Sequence, residues 1–342
     1  MKCTYALFMA ALVMVFAGCD KKTSAQLELK FAHYGAEDSE AQTAAKQFAA
    51  NVERRTDGAV KIIIYANNTL GSPPEILEQL FLGTVDMTLS GHDQFAKHIP
   101  LFDTVSIPFS LISYEHADKV LDGPFKDWAK PELEKMNVIM LSNWEWGFRQ
   151  ITNSKRPVLK PEDIAGLKIR TPPAMAQQAA MQALGANVQT ISFGELSMAM
   201  RQGVVDGQEN PISTIYNLKL YESQKYITMI NYLYSSLVHS ISKDAWNKLT
   251  DEQKTIFQEE SDAARLLMRQ IIRDNEAYQI TEMRNYGIQV DSPDLKPFAG
   301  KMQPAYEKIR ANTGADNFDK WMNMAALYAP PEAVEISLVG AP

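Results

Sequence analysis

The chain has 342 residues, 46% of them hydrophobic and 22% charged, a composition that fits about two globular domains and excludes a disordered chain. Its 34 basic residues against 41 acidic ones give a formal charge of -7 with no Lys/Arg block, which argues against a nucleic-acid partner. Both cysteines, Cys3 and Cys19, lie in the first twenty residues, so the rest of the chain can form neither a disulfide nor a thiolate metal site.

The N-terminus reads as an export signal: Met1-Lys2 is followed by an apolar run from Ala6 to Phe16 and then by Ala17-Gly18-Cys19. The run is too short to span a bilayer, which takes about 17–25 apolar residues. Phe16-Ala-Gly-Cys19 resembles the lipobox of bacterial lipoproteins, with Phe16 where an aliphatic residue is usual. That resemblance implies a signal peptide over 1–18, a lipid anchor at Cys19, a polar tether over 19–26 and a mature formal charge of -8 after Lys2 is lost. A simple secretory signal cut nearby is the alternative.

Leu27, Leu29 and Phe31 alternate with polar residues and predict a half-buried strand. Ala41, Ala44, Ala45, Phe48 and Val52 recur at helical spacing, with Gly58 beyond them as a stop signal. A buried strand follows over 59–65, a short helix over 74–82 and another strand over 85–89, which gives the βαβαβ pattern of an α/β sheet. Leu82-Gly-Thr-Val-Asp86 is echoed by Gln202-Gly-Val-Val-Asp206, each ending a helix at a glycine and starting a strand, which implies two similar α/β lobes. The extended stretch 138–149 can pass from one lobe into the other, and a new strand forms over 166–170. Thr250 and Gln253 make a capping box that opens a run free of Gly and Pro as far as Tyr286. As one helix it would reach about 55 Å, enough to lie across both lobes.

The signatures of several enzyme classes are missing. No two glycines stand two apart, which removes the dinucleotide fingerprint, and the chain has no P-loop, no GxSxG and no HExxH. His33, His92, His98, His116 and His239 form no i,i+4 pair. No cofactor, metal or catalytic group is expected. Arg149 and Arg170 instead end extended segments, where a guanidinium can meet a carboxylate through two parallel hydrogen bonds. A structural ion pair, for instance between Arg149 and Glu145, is the competing reading.

Arg149-Gln-Ile-Thr-Asn-Ser-Lys-Arg-Pro157, Pro161-Glu-Asp-Ile-Ala-Gly-Leu-Lys-Ile-Arg-Thr-Pro172 and Asp206-Gly-Gln-Glu-Asn-Pro211 together resemble the signature run of the TRAP transporter solute-binding proteins. Asn67-Asn-Thr-Leu-Gly71 and the Gly83-x-Val-Asp86 turn extend the likeness over most of the mature chain. The resemblance implies an α/β bilobal periplasmic-binding-protein fold with a hinge. It also implies an organic-acid ligand in the cleft, TRAP membrane subunits as partners, and a place on the periplasmic face of the bacterial membrane. Arg170 then corresponds to the principal carboxylate-binding arginine, Arg149 to a supporting one, Asn210 to the asparagine completing the clamp and Phe193 to an aromatic beside the ligand. Trp146 and His33 complete the candidate ligand-binding set.

Trp146 stands where the family often has a small polar residue. Strict strand alternation puts it with Trp144 in the core, away from Arg149, whereas a bulge at Gly147 would turn it into the cleft, where an indole suits the CH face of a sugar ring. The expected lobes are 27–146 with 236–275 and 147–235 with 276–330, followed by a tail over 331–342. Sugar acids, hexuronates first, are the expected ligands, with C4-dicarboxylates and 2-oxo acids behind them. A lipoprotein that senses an organic acid for a signalling partner is the second reading.

Overall fold

The computed structural model describes residues 26–330. The expected signal segment, Cys19 and the tail lie outside the described residues. Ten strands form one twisted sheet: β1 (Leu27–His33), β2 (Val60–Tyr65), β3 (Met87–Gly91), β4 (Val138–Asn153), β5 (Lys168–Thr171), β6 (Asn187–Thr190), β7 (Gly207–Pro211), β8 (Tyr226–Thr228), β9 (Tyr234–Ser242) and β10 (Gln289–Asp291). Their order is β2-β1-β3-β9-β4-β7-β5-β6, with β8 on β4 and β10 on β8.

Read inward from its two edges, the sheet repeats itself. β1 pairs in parallel with β2 and β3, and β3 meets β9 antiparallel; β5 pairs in parallel with β6 and β7, and β7 meets β4 antiparallel. The echo in the sequence marks this repeat. Gly83 and Gly203 both adopt φ +68° and donate to Leu80 and Met200 at the same 3.1 Å. The Asp86 and Asp206 carboxylates then accept the backbone N–H of Lys30 and Lys168 at 2.8 and 2.9 Å. Each turn thus fixes the start of one parallel strand against the neighbouring one.

β4 joins the lobes. Its first part, Val138–Phe148, pairs with β9, and its last part, Arg149–Asn153, pairs with β7. Between Glu145 and Gly147 the register slips by one residue, so Trp146 is extra, and Gly147 takes φ +111°, a value that disfavours any side chain. The bulge breaks the alternation. Trp144 stays in the first-lobe core, its ring centroid 6.4 Å from Phe31 and 4.7 Å from His239, while Trp146 is only partly buried, packing at the margin of the same core and lining a cavity between the lobes.

The long helix Asp251–Asn285 is continuous, capped by Thr250 and Gln253 as the sequence predicts. Its Met268 and Ile272 pack in the first core, and Met283 packs with Ile215 and Ile227 in a separate cluster under the second lobe. On one face, Arg265, Arg269 and Arg273 follow at four-residue spacing and pair with Asp118 and Asp122, and Arg273 also binds Glu145 at 2.6 Å.

The C-terminal segment departs from the expected partition. Helix Ala315–Tyr328, expected with the second lobe, lies against first-lobe segments: Trp321 donates to Ser110 at 3.0 Å and packs on Phe125, and His116 bonds the carbonyl of Ala325. The indole is fully buried and needs both an apolar socket and an acceptor, and residues 110–125 supply them. Helix Gln303–Thr313 shares one core cluster with Met181 of the second lobe and Phe102 of the first, so the segment straps both.

Gly147→Ala is expected to lower stability by about 1–3 kcal/mol, the cost of a side chain at this backbone conformation. Urea unfolding checks it, and a midpoint unchanged within error would show that the bulge tolerates a Cβ.

Candidate functional site

A cavity of about 450 Å³, counting space open to solvent, lies between the lobes. It gathers the C-terminal ends of parallel strands, where open α/β sheets place their ligands: Tyr34 just past β1, Gly91 at the end of β3, Arg170 in β5 and Asn210 near the end of β7. Arg149 reaches it from β4, and Phe193 from just beyond β6.

The two arginines are in opposite electrostatic states. Arg149 is only 6% exposed, and its Nη2 donates to Glu209 Oε1 at 2.9 Å, to the Glu209 carbonyl at 2.6 Å and to Asn210 Oδ1 at 3.1 Å. Its Nε also donates to Glu209 Oε2. Burial by itself would lower the Arg149 pKa, but the Glu209 carboxylate overrides it and holds the group above its usual value. The ion-pair partner is therefore Glu209, and Glu145, the candidate named from sequence, is taken by Arg273 and by the Tyr234 hydroxyl at 2.9 Å.

Among the described residues, Arg170 has no such partner. It is 1% exposed, its Nε donates to the Ile191 carbonyl at 2.9 Å, and its Nη2 is buried without a hydrogen-bond acceptor. Burial pushes its pKa down to about 10, which still leaves it charged at neutral pH. Native interiors rarely leave such a donor unpaired, and a buried guanidinium with a free N–H beside a cavity is a site for an anion.

The bulge brings Trp146 to the same cavity as Arg149. Its ring lies 5.5 Å from Tyr34 and 6.5 Å from Phe193, and Tyr34 and Phe193 touch across the cleft at 5.6 Å. These three rings divide the cavity from an apolar one of about 340 Å³ beside it, also lined by Trp146 and Phe193. Asn210 differs from the expected free donor, because one amide hydrogen goes to Gln208 Oε1 and its Oδ1 is taken by Arg149.

His33 does not line the cavity. It shares a face of β1 with Phe31, is 1% exposed, and bonds Gln42 Oε1 at 2.9 Å, so it is a core histidine. The next residue, Tyr34, turns into the cavity instead and accepts the Gly91 N–H at 3.0 Å. Sequence reasoning also missed Asp93, Gln94 and Ser235, which line the cavity, and Glu209 behind it. Glu209 sat inside the Asp206–Pro211 motif, where its alternation with Gln208 and Asn210 along β7 was the available signal.

A cavity between two repeated α/β lobes, walled by buried guanidiniums and aromatic rings, defines a bilobal solute receptor. The model of the bacterial extracellular solute-binding proteins, family 7, matches residues 31–313, and the chain belongs to that family. The sialic acid-binding periplasmic protein of Vibrio cholerae is 33% identical over 79% of this chain and 84% of its own length. The sugar acid binding protein of Advenella mimigardefordensis, solved with galactonate, superposes with a TM-score of 0.85 at 29% identity, covering 89% of this chain and 99% of that one. A TRAP periplasmic solute-binding protein from Polaromonas, solved with D-erythronate, gives 0.83 at 32% identity over 87% and 98%. This chain is likewise a periplasmic solute-binding receptor of the TRAP type.

Replacing Glu209 by Ala strands the Arg149 charge and the Tyr232 hydroxyl, which donates to Glu209 at 2.6 Å. The expected loss is about 3–5 kcal/mol of folding stability, as for other buried pairs broken on one side. Thermal and urea unfolding measure it; a loss under about 1 kcal/mol would mean that water or Asn210 replaces the carboxylate.

Proposed function

We propose that the receptor captures a small acid through one carboxylate, held by Arg170 and supported by Arg149 and Asn210, and hands it unchanged to TRAP membrane subunits. The observation that carries this is the free Nη2 of buried Arg170. Arg149 is already neutralised by Glu209, so the pair of arginines offers one net positive charge, which suits a single carboxylate. Trp146 and Phe193 supply apolar ring faces for the rest of the ligand. Sugar acids fit this mixture, and relatives solved with galactonate and D-erythronate support that class.

The hinge is assigned to the point in β4 where its partner changes, near Gly147 to Arg149, and to the chain entering β9. Contacts between the lobes, Tyr34 with Phe193 and the Glu40 carboxylate with Asn217 Nδ2 at 2.8 Å, form only when the lobes meet, and a bridging ligand adds to them. The mature chain is proposed to be tethered to the membrane through a lipid on Cys19, with nothing but the short tether between anchor and β1.

A thermal-shift panel of organic acids tests the ligand class, since a ligand at 100 times its Kd adds about 2.7 kcal/mol to the folded state. Aldonates and hexuronates are expected to raise Tm and Arg170→Ala to weaken them by about 2–5 kcal/mol. Neutral sugars raising Tm as much as acids, or an Arg170→Ala protein with unchanged Kd, would reject the clamp. For the anchor, Cys19→Ser is expected to move the protein from the membrane fraction to the soluble periplasm; a wild-type protein already soluble there would refute lipidation.

A further inference from the structure

Two groups on the first-lobe wall of the cavity are placed to accept hydrogen bonds. β3 ends at Gly91 and the chain turns into the short helix His92–Phe95, which brings Asp93 and Gln94 to the cavity beside Ser235 and Ser236. Gln94 Nε2 donates to the Asp93 carboxylate, so the amide is fixed with its oxygen pointing elsewhere. That oxygen, Gln94 Oε1, is buried and has no hydrogen-bond partner. Gly91 makes room for the arrangement, because a Cβ there would stand 2.2 Å from Asp93 Oδ1. The cavity thus holds two unmet demands: a donor without an acceptor at Arg170 Nη2, and an acceptor without a donor at Gln94 Oε1 beside a carboxylate.

We propose that Asp93 and Gln94 are the specificity-determining pair of this receptor: they take the hydroxyl hydrogens of a polyhydroxylated monocarboxylic acid and reject an acid with a second carboxylate. The assignment rests on the carboxylate reading of Arg170. A second ligand carboxylate placed against Asp93 and Gln94 Oε1 would bring only acceptors to acceptor oxygens, with the Asp93 carboxylate adding like-charge repulsion. A hydroxyl brings a hydrogen to Gln94 Oε1 and to Asp93, and its loss leaves buried acceptors dry. An ammonium group suits the wall less, because it brings a full charge and three hydrogens where the wall offers one vacant neutral oxygen, Gln94 Oε1, and a carboxylate already accepting from Gln94 Nε2.

Calorimetric titration of the full chain with galactonate, succinate and 4-aminobutyrate tests the pair. Wild type is expected to bind galactonate at least tenfold more tightly than either other probe. Asp93→Asn is expected to weaken galactonate about tenfold while leaving succinate unchanged or tighter, and Gln94→Leu, which keeps Asp93, to weaken galactonate alone by about fivefold. Arg170→Ala, by contrast, weakens galactonate and succinate alike. Equal losses for galactonate and succinate in both wall variants, succinate or 4-aminobutyrate matching galactonate in wild type, or unchanged galactonate binding in both variants would overturn the proposal. If succinate matches galactonate and Arg170 is still required, the carboxylate reading survives and the selectivity pair falls. If wild type binds none of the three and no other acid, both fall together.

Discussion

Everything in this receptor turns on keeping two guanidiniums dry at one point between the lobes. A charge removed from water costs several kcal/mol after the protein has relaxed, and only matched, hydrogen-bonded counter-charges recover it. The chain meets this cost in full for Arg149, through both oxygens and the carbonyl of Glu209. For Arg170 it meets the cost only in part, with one carbonyl at Nε. Arg149 is satisfied before any ligand arrives, whereas in the proposed clamp the free Nη2 of Arg170 takes the anion, so the stabilisation that Arg170 lacks on folding goes into binding.

Such a site needs a backbone that does not drift, and β4 is held on both sides of the bulge. Ahead of it, Arg273 of the long helix binds the Glu145 carboxylate and Arg269 reaches the Asn143 carbonyl, while Asp118 and Asp122 tie the same arginines to the helix Tyr114–Asp122. Beyond it, Gln150 donates to the Asn231 side chain and accepts the Asn231 N–H at 3.0 Å. One helix therefore fixes the strand that carries Trp146 and Arg149 and also reaches the second lobe through Met283. The proposed hinge accordingly falls on the few residues where β4 changes partner from β9 to β7.

The regular parts of this design were legible in the sequence because their causes are local. Glycine spacing showed the two echoed turns, and the Thr250–Gln253 box showed where the long helix begins. The arginines were legible through motif resemblance, and their extended context was visible from the local residue pattern around each. What stayed hidden depends on neighbours remote in the chain. Trp146 could not be assigned to core or cleft, since it is the extra residue against β9 and meets both the margin of the first core and the cavity, and pairing register is a tertiary property. Glu209 was not separable from Glu145 as the partner of Arg149 because 60 residues intervene. His33 and Tyr34 show the same limit at finer grain: adjacent residues at one strand end, and only the packing around Phe31 decides which faces the ligand.

The overall charge makes the local arrangement more pointed. A chain with a formal charge of -7 repels an anion at long range, but at physiological ionic strength that field decays over about 8 Å, so it does not govern what happens inside the cleft. Inside, the relevant charges are few. Arg149 and Glu209 cancel, and Arg170 on β5 and Asp93 on the helix after β3 remain as an unpaired cation and a carboxyl group. With Asp93 in the role proposed for it, the cleft is a dipole rather than a positive hole. A uniformly positive cavity would bind any anion that fits, including inorganic ones, whereas a dipole binds well only a molecule whose own charge and hydrogen-bond donors are distributed in the complementary sense. On the proposed assignment, the acidic wall makes the pocket a weaker trap for anions in general and a more discriminating receptor for acids that carry donors away from the carboxylate.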